Sequence, residues 1–143
     1  MTREHFEALV EEAFQAIPRE FRRRLKNIVI VVESEPSPAL LAEMEIEPPD
    51  TLFGLYQGTP LTQRGWDYGN RLPDRIVLFQ RPITEGTADE DEIFDTIAET
   101  LIHEAGHYFG MSEEQIQVIE EQYWRSGPDD QEDDPEPGPP GRS

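Results

Sequence analysis

Hydrophobic side chains at Phe6, Leu9, Val10, Ala13, Phe14 and Ile17 recur at helical intervals until Pro18 interrupts them, which predicts an amphipathic helix over residues 2–17. A second short helical stretch follows to Leu25. The run NIVIVVE, residues 27–33, is rich in β-branched residues and apolar on both faces, the pattern of a buried strand. SEPSPALLAEMEIEPPD carries four prolines and predicts a break in regular structure. TLFGLYQG and DRIVLFQR, residues 51–58 and 74–81, read as two further strands joined by the polar loop TPLTQRGWDYGNRLP. There is no internal repeat.

The next helix has the strongest pattern. Thr87 with Glu90, or Asp89 with Glu92, has capping-box spacing, and the acids at 89–92 suit the positive end of a helix dipole. With Ile93 at zero and about 100° per residue, Phe94, Ile97, Ala98, Leu101, Ile102, Ala105 and Tyr108 share one half of the helix. That half is predicted to cover the sheet, which makes Tyr108 a core residue. His103 and His107 lie about 40° apart near the edge of the polar half, so both imidazoles can point at one spot. Glu104 falls at about 20°, inside the apolar margin, where a helix built only for packing would carry Leu or Ala.

With 143 residues, 36% of them hydrophobic, the chain suits one domain with a modest core. The domain is expected over residues 1–125. From Ser126 the sequence SGPDDQEDDPEPGPPGRS is too rich in Pro, Gly and acid to bury anything, and 126–143 is expected to be a disordered tail. No stretch approaches the ~18 consecutive apolar residues of a membrane span, and the first residues form no leader, so a soluble, monomeric, cytoplasmic protein without a membrane partner is expected. Net charge is −19, and residues 1–125 alone hold 25 acids against 11 bases. Such a surface repels phosphate backbones and argues against nucleic acid as a partner. The basic cluster Arg19, Arg22, Arg23, Arg24 and Lys26 reads as a solvated helix end. His5 reads as a surface residue, and Arg64, Trp66 and Tyr68 as packing within a long loop.

There is no cysteine, so any metal must be held by His, Asp and Glu. Two imidazoles at i and i+4 can ligate zinc from one helix face, and a carboxylate beside them can take the proton of a metal-bound water. A third protein ligand is needed. Were the helix to continue, residue 113 would lie about 9 Å further along the axis and about 240° round from His107, out of reach. Gly110 can end the helix in the left-handed conformation, and Ser112 with Gln115 has capping-box spacing for a new one. A reversal there can bring Glu113 to the metal. An acid at the first turn of a helix also serves its dipole, which leaves Glu114 and Glu120 as alternative ligands.

The stretch HEAGHYFGMSEE resembles the HExxHxxGxx(H/D/E) signature of the zincin peptidases. Together with FEALVEEAFQAIPREF, IVIVVE, LFGLYQGTPLTQRG and LPDRIVLFQRPI, it makes residues 3–122 similar to a small bacterial family of minimal zincin-like metallopeptidases. The resemblance implies a compact α/β (α+β) fold, in which a small mixed sheet packs on the N-terminal helix and the metal-bearing helix, with a short C-terminal helix. It also implies Zn2+ held by His103, His107 and an acid at Glu113, Glu104 as catalytic acid/base, and a peptide or protein as substrate. Two departures from the larger metzincins stand out: the third position is Glu113 rather than His, and no methionine follows Met111. Three functions are therefore weighed: a zinc endopeptidase acting on a peptide laid along a sheet edge, an inactive zincin serving as a zinc-stabilised binding module, and a metal-free interaction domain.

Overall fold

The structure, a computed structural model, describes residues 1–58 and 74–133, with side chains as far as residue 125. Its elements run in the order α1 (Arg3–Ala16), α2 (Arg19–Arg23), β1 (Val29–Glu33), α3 (Pro38–Glu43), β2 (Gly54–Gln57), β3 (Arg75–Phe79), α4 (Gln80–Glu85), α5 (Glu90–Phe109) and α6 (Glu113–Asp133). Among the described residues this is an α+β fold with a single mixed sheet of order β1-β3-β2. β1 runs parallel to β3, with Val31 opposite Val77, and β2 runs antiparallel to it, with Leu55 opposite Val77. No helix among the described residues is long and apolar enough to cross a membrane.

One core joins the layers. Phe6, Leu9, Val10 and Ala13 of α1 meet Ile97, Leu101 and Ala105 of α5, together with Ile76 and Leu78 of β3 and Ile116 and Tyr123 of α6. α1 is positioned by Thr2, whose hydroxyl accepts from the His5 amide at 3.0 Å. Arg22 closes its other end, donating from Nη1 to the carbonyls of Gln15 and Ile17 at 2.9 and 2.8 Å. Arg24 lies over the Phe109 ring, 4.3 Å from its centroid, at the C-terminal end of α5. Arg23, Arg24 and Lys26 of the basic cluster are exposed, as a solvated helix end should be, while Arg22 and Arg24 also reach the ends of two neighbouring helices through main-chain carbonyls and an aromatic face.

The strand pattern misjudges depth. NIVIVVE is expected to be buried on both faces, but among the described residues β1 is an edge strand, with its central residues half-buried and Val29 49% exposed. β3 has neighbours on both sides, and its Ile76, Val77, Leu78 and Phe79 are all buried. An apolar β-branched run identifies a strand; its place in the sheet depends on partners elsewhere in the chain.

Two helices correct the reading of the linkers. The proline-rich segment expected to lack regular structure contains α3, started by the Ser37 hydroxyl accepting from the Leu40 amide at 3.0 Å with Pro38 in the first turn. The strand expected to reach residue 81 stops at Phe79 and passes directly into α4, which has no side-chain cap to announce it. α6, expected to be short, is 21 residues long and runs past Ser126 to Asp133. Residues 134–143 lie outside the described residues, as do Arg64, Trp66 and Tyr68.

Candidate metal centre

Of the two capping boxes foreseen for α5, the second forms. The Asp89 carboxylate accepts from the Glu92 amide at 2.9 Å, and the Glu92 carboxylate accepts from the Ala88 amide at 2.7 Å. Thr87 donates instead to the Ile83 carbonyl at 2.9 Å. At the other end, Gly110 has φ 70°, and the Gly110 amide donates to His107 O at 3.1 Å while that of Met111 donates to Gly106 O at 2.9 Å. These are the paired bonds of a Schellman termination, open to glycine because a Cβ resists positive φ. Ser112 and Gln115 then cap each other, amide to side chain, at 2.8 and 3.1 Å, and α6 sets off in a new direction.

The reversal places Glu113 back beside the histidines. Its Oε2 lies 3.9 Å from His103 Nε2, and the His103 and His107 ring centroids are 4.9 Å apart. One ligand atom from each of His103, His107 and Glu113 falls within 4.8 Å of the others. Donors hold zinc at about 2.0–2.2 Å, so the three need to draw together by roughly an ångström to share one ion. Their side chains, 39%, 47% and 77% exposed, have room to rotate that far. Two imidazoles and a carboxylate are a donor set of catalytic zinc, which takes three protein ligands and leaves a position open. Glu114 is exposed and stands outside this group, while Glu120 lines the neighbouring cleft.

Glu104 differs from its neighbours in burial, with a side chain only 14% exposed. Its Oε1 accepts from the Tyr56 amide of β2 at 2.8 Å and lies 3.6 Å from His107 Nδ1. The Phe79 amide bonds to the Phe53 carbonyl, so in the alternating antiparallel ladder Gly54 and Tyr56 turn their main-chain groups away from β3. α5 and β2 can approach so closely because residue 54 is glycine: a Cβ there would lie 2.6 Å from Thr100 Cγ2 and 2.9 Å from the Val77 carbonyl. The Tyr56 amide is a site group that motif reasoning misses. The isolated glycine in TLFGLYQG is the available signal for it.

Beside the histidines opens a cleft of about 470 Å3, walled by Leu52, Phe53 and Gly54 on one side and by Thr96, Glu99, Thr100, His103 and Glu104 of α5 on the other, with Glu120 of α6. α6 is moored along this wall. Tyr123 donates its hydroxyl to Asp95 at 2.7 Å, and Trp124 donates its indole N–H to Glu99 at 2.9 Å. Burial, and the charges of Glu120 and Asp95, push the Glu99 carboxyl above its usual range against the opposing effect of the Trp124 bond. Burial and the Asp95 contact likewise push the Tyr123 phenol upward. Tyr108 is buried, packed on Tyr56 and Phe109 as a core residue should be. His5 is a surface residue paired with Glu90 at 3.1 Å.

Residues 25–123 match the family profile described as zincin-like metallopeptidase. The fold is similar to the solved structure of a conserved hypothetical protein from Thermo thermophilus, with 25% identity, 76% of this chain and 94% of the other covered, and a TM-score of 0.51. No curated protein gives a significant match. The family implies a metal, usually zinc, and the donor set His103, His107 and Glu113 suits one. The match spans well over half the chain and takes in α5, the turn at Gly110 and the start of α6, and this protein belongs to the zincin-like metallopeptidase family.

Proposed function

We propose that this protein is a zinc-dependent endopeptidase, with His103, His107 and Glu113 holding the metal and Glu104 moving the proton. The observation that carries this reading is the convergence of two imidazoles and one carboxylate within 4.8 Å, next to a second carboxylate fixed by a main-chain amide. A bound zinc supplies a Lewis acid that polarises the scissile carbonyl and lowers the pKa of water towards ~7. Glu104 accepts the proton of the attacking water and passes it to the leaving amine. The Tyr56 amide holds one of its oxygens and so keeps the carboxylate in place for both transfers. A substrate laid in extended form along this side of the sheet reaches the cleft between β2 and α5, beside His103 and Glu104, while the Tyr56 amide stays with Glu104.

Glu104→Gln tests the reading. The amide keeps an acceptor for Tyr56 but cannot take a proton, so the variant should bind zinc as the wild type does while cleaving an unstructured protein about 10²–10⁴-fold more slowly. Undiminished cleavage by pure, zinc-loaded variant would remove Glu104 from the mechanism. Absence of cleavage by the zinc-loaded wild type would leave a zinc-stabilised binding module instead.

A further inference from the structure

We propose that Gly106 is a positioning residue for the metal centre: its missing side chain lets α6 lie close enough to α5 to bring Glu113 to the two imidazoles. This inference rests on the reading of Glu113 as a ligand. Gly106 stands inside α5, a place where glycine is disfavoured relative to alanine, so something other than helix propensity has to account for it. Its φ gives no reason, since among the described glycines only Gly58 and Gly110 have positive φ. Close approach does: a Cβ on Gly106 would lie 2.5 Å from both Cγ1 and Cδ1 of Ile116, and 3.8 Å from its Cβ.

Ile116 cannot easily give way, being 1% exposed within the core that joins α1, α5 and α6. It sits three residues after Glu113 on the first turn of α6, so any push on Ile116 is passed to Glu113 through one rigid helical turn. Gly106 is three residues after His103 and one before His107, on the stretch of α5 that faces this turn. The middle of α6 cannot swing to compensate, because Tyr123 and Trp124 are bonded to Asp95 and Glu99 of α5. A methyl group at position 106 therefore widens the helix pair at the end where the ligand sits.

The test measures zinc affinity by competition with a chromophoric chelator, and thermal stability of the metal-free proteins, for wild type, Gly106→Ala, Ile116→Ala, the double variant and Glu113→Gln. Gly106→Ala should weaken zinc at least tenfold, as Glu113→Gln should. In the double variant only the Ile116 Cβ position remains, at ordinary contact distance, so zinc affinity should return to within about threefold of Ile116→Ala alone. Zinc affinity is the discriminating readout, because the added methyl takes up part of the space that the Ile116 truncation empties, so the metal-free stability of the double variant mixes the two effects. Should Gly106→Ala fail to fold, the comparison of the double variant with Ile116→Ala carries the test, and a loss of zinc on adding Gly106→Ala to Ile116→Ala would overturn the proposal. It is also overturned if Gly106→Ala binds zinc like the wild type while Glu113→Gln does not. Unchanged affinity in Glu113→Gln would instead remove the ligand assignment, and the role of Gly106 with it.

Discussion

Tyr123 donates its hydroxyl to Asp95 across 2.7 Å, and the pair joins α6 to α5 far from the turn at Gly110. The phenol ring is 3% exposed, so this contact marks where α6 still contributes to the core.

Truncation should show the boundary. A chain ending at residue 125 keeps Tyr123 and Trp124, and its melting temperature should lie within about 2 °C of the full-length protein. Ending it at 122 removes a buried aromatic worth about 3 kcal/mol and should cost on the order of 10 °C, read by thermal unfolding. A large drop in the longer truncate would place core-forming surface beyond residue 125.

The candidate ligands should separate by magnitude. His103→Ala and His107→Ala should each abolish tight zinc binding, and Glu113→Gln should weaken it by several kcal/mol. Glu120→Gln should change it less than tenfold, since Glu120 lines the cleft without joining the three grouped donors. Chelator competition ranks them, and a larger effect at Glu120 than at Glu113 would reassign the third ligand.

Glu99 gives a pH dependence with a definite sign. Its carboxyl is raised by burial and by neighbouring acids, so the folded protein holds that proton more readily than the unfolded chain. The stability this contributes is complete below the ordinary glutamate range and is lost as pH rises through the raised value. Glu99→Gln, which retains an acceptor for Trp124, should remove that part of the decline and melt higher than wild type at neutral pH. Melting curves between pH 4 and pH 8 decide it; a variant that parallels the wild type throughout would show the raised carboxyl to be without consequence.

Gly54→Ala should be costly for a side chain of its size. The added methyl meets Thr100 Cγ2 and the Val77 carbonyl, and the main-chain atom cannot rotate aside. Overpacking of this kind costs about 1–3 kcal/mol, and separating β2 from α5 should also loosen the Tyr56 amide from Glu104. A fall in both melting temperature and hydrolysis is expected. Normal activity at reduced stability would show that Glu104 needs no help from β2.

The geometry of the candidate site was more legible in the sequence than the sheet around it. HEAGHYFGMSEE encodes its geometry locally: helical period sets the histidines on one face, Gly110 allows the reversal, and Ser112 with Gln115 restarts the helix, each within a few residues. The depth of β1, by contrast, depends on β3, which lies more than forty residues away in sequence. The same is true of the Tyr56 amide, brought to Glu104 across 48 residues by packing that no local pattern records. α4 had no cap to read, whereas α3 had a serine and a proline in the expected places, outweighed by the surrounding prolines.

The bond between Glu104 and the Tyr56 amide also bears on self-association. β2 has no strand beyond it among the described residues, and an open strand edge is a template on which a second chain can pair and aggregate. Glu104 occupies one of the outward amides of that edge and sets a carboxylate on it. A variant made to silence the site with alanine would strip away this guard along with the proton acceptor, and would leave the Tyr56 amide without its carboxylate partner. Glutamine leaves the amide covered, which makes Glu104→Gln the variant to use when the protein must stay dispersed.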